Sequence, residues 1–231
     1  MSKTIAIVQS NYIPWKGYFD LIGLVDEFIL FDDMQYTRRD WRNRNRIKTP
    51  QGVQWLVIPV RSKGNYHAPI CEIEVSDPFW AVRHWKTIRF NYGRAPYFHQ
   101  FESFFEELYL ECEERYLSRI NYRFLKAICD LLDIRTKLSW SMDYTLIEGR
   151  TERIVDLCYQ AGATRYLTGP SARSYLNEQL FDEAGIELVY MDYSGYPEYP
   201  QLYPPFEHAV SVIDLIFNTG PKARKYMKSM G

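Results

Sequence analysis

The apolar positions along the chain fall into two periods. Ile5–Ala6–Ile7–Val8 is an unbroken apolar run, the mark of a strand covered on both faces of a parallel sheet. It gives way to the polar residues Gln9, Ser10 and Asn11, and helical spacing resumes at Phe19, Ile22 and Val25. A strand over about 5–9, a polar turn and a helix over about 17–25 are expected. Phe28–Phe31 is a second short apolar run and ends at Asp32 and Asp33. Strand, helix and strand at this spacing predict a right-handed parallel unit. Open α/β sheets bind ligands at the carboxyl ends of their strands, so a site is expected between these two turns.

Met34–Pro50 carries no apolar stripe and is expected to be a long loop, of the kind that serves as a lid or binding loop. Gln54–Val60 predicts a third strand, Arg61–Ala68 a turn-rich loop, and the alternation in Ile70–Val75 a half-exposed edge strand. A helical block follows over about 77–133. Asp77 and Pro78 suit the start of a helix running to about Tyr92, and Gly93 its end. Phe98, Phe101, Phe105, Leu108 and Cys112 step by threes and fours, as do Leu117, Ile120, Phe124, Ile128 and Leu131. Such stripes face a core rather than a cofactor. Lys137–Trp140 reads as a short strand. A helix capped by Thr151 and ended by Gly162 comes next, then a strand over Arg165–Thr168. Gly169-Pro170-Ser171 opens a helix to about Ala184, and Glu187–Met191 is the last strand. The pattern predicts an α/β protein: a mostly parallel, doubly wound, Rossmann-like sheet with a helical insertion, in a single domain over 1–231. Ser194–Pro205 should be an ordered loop, Ala209–Phe217 a closing helix, and about 221–231 a flexible tail.

Composition narrows the classes. The 231 residues are 46% hydrophobic with a net charge of −1, so no global field draws the chain to nucleic acid or membrane, and no extensive nucleic-acid surface is expected. No apolar run approaches the roughly 18 residues of a membrane span, and the N-terminus enters a strand at once, without a signal peptide. Cys71, Cys112, Cys129 and Cys158 are far apart and sit among apolar residues, as reduced buried thiols do. A cytoplasmic protein is expected. Aromatic residues reach 16%, with 19 Tyr and 6 Trp. Core packing accounts for many of them, but Tyr and Trp also line sites for flat or sugar-like ligands.

Several chemistries lack their motif. There is no G-x-S-x-G elbow, no P-loop and no GxGxxG at the first turn. His67, His99 and His208 have no metal-ligand spacing with one another or with Cys, so no metal site is expected. Three features remain. Asp32 and Asp33 point to opposite sides of a strand end, which suits one site-facing carboxylate and one structural partner. The facing one is a candidate general base, amine or hydroxyl anchor, or Mg²⁺ ligand. The segment after them holds Arg38, Arg39, Arg42, Arg44, Arg46 and Lys48, with Tyr36 and Trp41 interleaved. Guanidinium groups grip phosphate in a bidentate way and the rings can stack on a base or sugar; the rival reading is a solvated loop. His84 shares a helical face with Trp80 and Ile88, as either a core histidine or a base. Gly17 suits close approach of a ligand or a neighbouring strand to the backbone.

These segments carry a resemblance. Gln9-Ser10-Asn11-Tyr12-Ile13-Pro14-Trp15-Lys16-Gly17-Tyr18-Phe19, Asp32-Asp33-Met34-Gln35-Tyr36 and Trp41-Arg42-Asn43-Arg44-Asn45 resemble the WbqC-like protein family. So do His84 ahead of Tyr92-Gly93-Arg94-Ala95-Pro96-Tyr97-Phe98, Gly162-Ala163-Thr164-Arg165-Tyr166-Leu167-Thr168-Gly169, Tyr199-Pro200-Gln201 and Ser211-Val212-Ile213-Asp214. Ser10 departs from the Pro usual there in the family. The matching residues are Gln9, Asn11, Tyr12, Trp15, Gly17, Tyr18, Asp32, Asp33, Gln35, Trp41, Asn43, Arg44, Asn45 and His84. The resemblance implies a role in bacterial O-antigen or other surface-polysaccharide biosynthesis, as a transferase moving an acyl or aminoacyl group such as glycine onto an amino sugar. The sugar is expected to be nucleotide-linked, and the donor a coenzyme A thioester or an aminoacyl-tRNA. In that scheme Asp32, Asp33 or His84 takes the amine proton. Gln9, Asn11 and the backbone at Gly17 face the oxyanion. Arg38, Arg42 and Arg44 hold phosphates, and Tyr36 or Trp41 stacks. The alternatives are a non-catalytic nucleotide-sugar binding protein of the same pathway and an enzyme dependent on aminoacyl-tRNA.

Overall fold

A computed structural model describes residues 2–64 and 67–229. Five parallel strands form the sheet: β1 (Thr4–Val8), β2 (Glu27–Leu30), β5 (Lys137–Trp140), β6 (Arg165–Thr168) and β7 (Glu187–Tyr190), in the order β5-β2-β1-β6-β7. The chain first winds outward from β1 through helix α1 (Lys16–Gly23) to β2 and on to β5. It then returns through α5 (Thr151–Gln160) to the other side of β1 and continues through α6 (Glu178–Glu183) to β7. This is the doubly wound, Rossmann-like α/β arrangement, and its direction reverses between β1 and β6.

The unbroken apolar run of β1 is explained by cover on both faces. Ala6, Phe28 and Leu30 face one core with Phe19 and Ile22 of α1. Ile5, Ile7 and Ile29 face a second core with Ile154, Leu157 and Cys158 of α5 and Phe181 of α6. At about 2 kcal/mol for each fully buried aliphatic or Phe side chain, losing either cover would unfold the sheet. The one charge inside β2, Glu27, is fully buried and accepts from Lys3 at 2.7 Å, Ser139 at 2.7 Å and Tyr144 at 2.5 Å, with Lys137 at 2.8 Å.

Between β2 and β5 the chain inserts a two-stranded hairpin, β3 (Arg44–Thr49) with β4 (Gly52–Val57), and helices α2 (Trp80–Tyr92), α3 (Phe98–Leu110) and α4 (Leu117–Leu131). The stripe Leu117, Ile120, Phe124 and Ile128 is fully buried, as its spacing requires. Helix α7 (Val212–Thr219) is buried along its whole length against the same core.

Several expectations need correction. Part of the supposed loop Met34–Pro50 is strand β3, hidden in the sequence because outward Arg44 and Arg46 alternate with inward Asn45 and Ile47. Its partner β4 belongs to this hairpin and not to the main sheet, and it begins before Gln54. Ile70–Val75 forms a 3₁₀ turn over Ile70–Glu72 followed by single bridges, because Cys71 donates its amide to Asp32 O at 2.9 Å. The expected helix from Gly169 to Ala184 is broken into a 3₁₀ turn, Pro170–Ser174, and α6. The C-terminal segment is not a free tail. Gly220–Tyr226 is a 3₁₀ helix, Ala223 and Met227 are buried, and Ser229 donates to Asp20 through N at 2.8 Å and Oγ at 2.6 Å. Of the two segments that run past the description, Arg61–Ala68 has residues 65 and 66, and the tail has 230 and 231, outside the described residues. Ser194–Pro205 is ordered as expected: Tyr196 donates to Asp20 at 2.6 Å and Tyr199 to Asp214 at 2.7 Å.

Candidate ligand site at the switch point

The polar residues after β1 are held from three sides. Ser10 N–H donates to Asp32 Oδ1 at 2.8 Å, Tyr12 N–H to Trp41 O at 3.1 Å, and Asn45 Nδ2 to Tyr12 O at 3.0 Å. Asn121 of α4 donates to Ser10 Oγ and to Arg42 O, both at 2.9 Å. This bracing sustains an unusual backbone: Ile13, fully buried and β-branched, sits at φ +36°. A left-handed conformation for such a residue costs on the order of 1–3 kcal/mol and persists only where its surroundings fix it.

Arg42 crosses from the inserted segment onto this turn. One guanidinium nitrogen donates to Gln9 Oε1 and the other to Asn11 Oδ1. This fork pins the two amides that the sequence singles out at the strand end.

Beside the fork lies a cavity of about 680 Å³. Its floor is the end of β1 (Val8, Gln9) and the end of β6 (Thr168, Gly169), so it occupies the crevice where the sheet reverses direction. Tyr18, Tyr166, Tyr175 and Tyr193 line it, with Arg42 and Arg150 as its charged groups. The lining holds no carboxylate. Tyr18 donates to Gln9 O at 2.9 Å, and the Arg150 guanidinium lies 4.2 Å from the Tyr175 ring centre. Burial raises the Tyr18 phenol well above its usual range, so it stays neutral.

A second cavity of about 240 Å³ opens on the other side of the fork, lined by Asn11, Pro14, Trp15, Trp41, Asn45 and Ala209. The Trp15 ring is set by its neighbours. A Cβ on Gly17 would fall 2.3 Å from it, and Tyr193 and Tyr196 meet it edge-on at 5.2 and 5.5 Å. Gly17 is therefore required by Trp15 rather than by a neighbouring strand.

The structure thus brings Gln9, Asn11, Trp15, Gly17, Tyr18, Trp41, Arg42 and Asn45 to one place. Other candidates lie apart from the lining of both cavities. Asp32 is fully buried beneath the turn, accepting from Ser10 N–H and Ser118 Oγ–H, and its pKa is raised by burial against the opposing hydrogen bonds. Asp33 pairs with Arg153 at 2.9 Å and accepts from Ser141. His84 is in a core network. Its Nε2 contacts the Val57 carbonyl at 3.1 Å, which can only accept, so Nε2 carries the proton and Nδ1 accepts from Tyr12 Oη at 2.9 Å. Tyr12 in turn accepts from Tyr109 at 2.7 Å. Burial lowers the His84 pKa to about 4, the Arg83 charge pushes the same way, and the Val57 hydrogen bond only partly opposes it. Tyr36 is buried, Gln35 bridges to Pro69, and Asn43 donates to Ile58 O at 2.8 Å. Arg38 reaches Ser62 O at 3.0 Å, and Arg44 donates to Arg39 O while stacking 4.1 Å over Trp55. Sequence reasoning missed Arg150, Tyr175, Tyr193 and the β6 end. The Gly169-Pro170 break after an apolar run was a signal for the last of these, but the strand order that makes it adjoin β1 is not written locally.

Fold and cavity together define an α/β protein with a crevice at a topological switch point. The family model for the WbqC-like protein family matches residues 9–226, and the chain belongs to that family. It is 53% identical over 226 residues to the uncharacterised protein Rv1507c of Mycobacterium tuberculosis, covering 98% of each chain. No solved structure matches the chain. Among the described residues no helix is long and apolar enough to cross a membrane, and no three His, Cys, Asp or Glu side chains are grouped to hold a metal.

Proposed function

We propose that the protein is an acyl- or aminoacyl-transferase acting on a nucleotide-linked amino sugar of surface-polysaccharide biosynthesis. One observation carries this reading: the switch-point cavity offers two arginines, four tyrosines and no acid. An anionic pyrophosphate meets Arg150 and Arg42, the latter also paired with Asp40 at 3.5 Å outside the lining, and the tyrosine walls suit a base or sugar ring. The volume lies within the range of ligand sites for molecules of this size.

In this scheme Arg42 has two tasks. It faces the anion, and it orients the Gln9 and Asn11 amides, whose N–H groups then point away from it toward a developing oxyanion. Asp32 acts as a positioning residue, since it touches the cavity only through the Ser10 turn. Asp33 and His84 remain candidates for proton transfer only if their partners, Arg153 and Tyr12, move aside. The acyl donor is a coenzyme A thioester or an aminoacyl-tRNA.

The exposed hairpin face favours the second donor. Trp41 and Trp55 lie 5.3 Å apart, with Arg44 and Arg46 over them at 4.1 and 5.8 Å from the Trp55 ring. Alternating arginines and accessible indoles suit stacked, single-stranded nucleotides such as an acceptor end. The test is to incubate purified protein with nucleotide-linked amino sugars and each donor class, and to read N-acylated product by mass spectrometry. Product with either donor supports the proposal. Absence of product and of nucleotide-sugar binding across the panel refutes it, and binding without turnover points to a carrier instead.

A further inference from the structure

The smaller cavity differs from the larger in chemistry. None of its six lining residues is charged, whereas its neighbour carries two arginines. The fork links them: Gln9 and Arg42 line the larger cavity and Asn11 the smaller, and Arg42 donates to both amides. Two indoles, Trp15 and Trp41, supply flat apolar surface and Asn11 a polar amide, while the Asn45 amide is already engaged by Tyr12 O and Arg46 N–H. Trp41 is 39% exposed, with Trp55 packed against it at 5.3 Å. A pyranose has this complement, with C–H groups on its faces for the indoles and hydroxyls at its rim for the amide.

We propose that this second cavity is a subsite for an uncharged, hydroxyl-bearing ring, the sugar, separate from the anion subsite across the Arg42 fork. The assignment of the ring as the acceptor sugar rests on the transferase reading; the existence of the subsite does not. Trp15 is held ready by packing: Tyr193 touches its edge from the larger cavity, so the two subsites meet at this ring pair. No charged side chain lines the cavity itself; the Arg46 guanidinium stands 5.7 Å from the Trp41 ring centre. The arrangement sorts a substrate by charge, with phosphate on one side of the fork and the neutral ring on the other.

The test uses the full chain with ¹⁵N-labelled tryptophan, the indole signals of Trp15 and Trp41 being assigned with Trp15→Phe and Trp41→Phe. Methyl glycosides of N-acetylated and free amino hexoses are titrated, then uridine diphosphate. The expected result is a saturable shift of both signals with at least one glycoside, no displacement of that glycoside by uridine diphosphate, and about tenfold weaker glycoside binding in Trp41→Ala. If no glycoside moves either signal, or if uridine diphosphate displaces the glycoside, the separate subsite is overturned. If the glycoside shifts both signals while neither uridine diphosphate nor a nucleotide sugar binds, the subsite stands and the transferase reading falls.

Discussion

Acidification from about pH 7.5 to pH 5 should remove about 2 kcal/mol of stability through His84 alone. The imidazole is 6% exposed, donates from Nε2 to Val57 O and accepts at Nδ1 from Tyr12. Burial, reinforced by Arg83 and only partly opposed by the Val57 hydrogen bond, lowers its pKa from the usual 6.5 to about 4. The folded pKa lies below the unfolded one, so between these values the unfolded chain binds more protons. Stability is then full above about pH 6.5 and is lost as pH falls toward 4, at about 1.4 kcal/mol per unit, reaching about 3 kcal/mol in total. Stopping near pH 5 leaves ordinary carboxylates ionised. Urea denaturation of the parent and of His84→Gln isolates the effect, since Gln keeps one donor and one acceptor but does not titrate. The variant should be the less stable at about pH 7.5, and the gap should close by about 2 kcal/mol at pH 5. Equal losses in both proteins would refute the buried, neutral imidazole and reopen His84 as a titrating base.

Three further outcomes are expected. Glu27, buried yet held to a pKa of about 2 by Lys137, Lys3, Tyr144 and Ser139 against the cost of its burial, contributes stability that is full above about pH 4.5 and lost on the way to pH 2. Glu27→Gln should cost about 1–2 kcal/mol at neutral pH in urea melts, discounted for its two partly exposed lysines, and flatten the acid limb in that window. Asp32→Asn should change stability by under about 1 kcal/mol, because it keeps an acceptor for Ser10 N–H and removes a buried charge. Asp32→Ala orphans that N–H and should cost about 2–3 kcal/mol by thermal melting. Gly17→Ala places a methyl group 2.3 Å from the Trp15 ring and should shift tryptophan fluorescence while losing about 1–3 kcal/mol.

The sheet was legible because its signal is local. Ile5–Val8, Phe28–Leu30 and the stripe of α4 are each set by which neighbours they must bury, and a period of two or of 3.6 records that in the sequence. The hairpin was not legible. Arg44 and Arg46 face outward and Asn45 is buried through hydrogen bonds rather than through apolarity, so β3 has polar residues on both faces. The same cause hid its role. An arginine-rich run reads as solvated loop until the pairing of Asn43–Thr49 with its neighbours shows which guanidinium turns inward. Part of the crevice was visible, namely Gln9, Tyr18 and Arg42. The β6 half was not, because β1 and β6 are brought side by side only after the chain has passed through β2, the insertion and β5, so their adjacency leaves no local mark.

The insertion explains why the acids expected at the second strand end do not line the crevice. In an open α/β sheet the residues after β2 would fall beside those after β1 and share the ligand. Here the chain leaves β2 into a long excursion that must be anchored, and Asp32 and Asp33 are where it is tied down. Asp32 binds Ser10 of the first turn and Ser118 of α4, and Asp33 binds Ser141 after β5 and Arg153 of α5. Each acid thus joins the returning chain to the sheet. One of the two charges that reach the crevice comes instead from the excursion itself, as Arg42, whose carbonyl is held by Asn121 of α4 and whose guanidinium lands on Gln9 and Asn11. With the strand-end acids tied down elsewhere and an inserted arginine in their place, the crevice lining carries positive rather than negative charge.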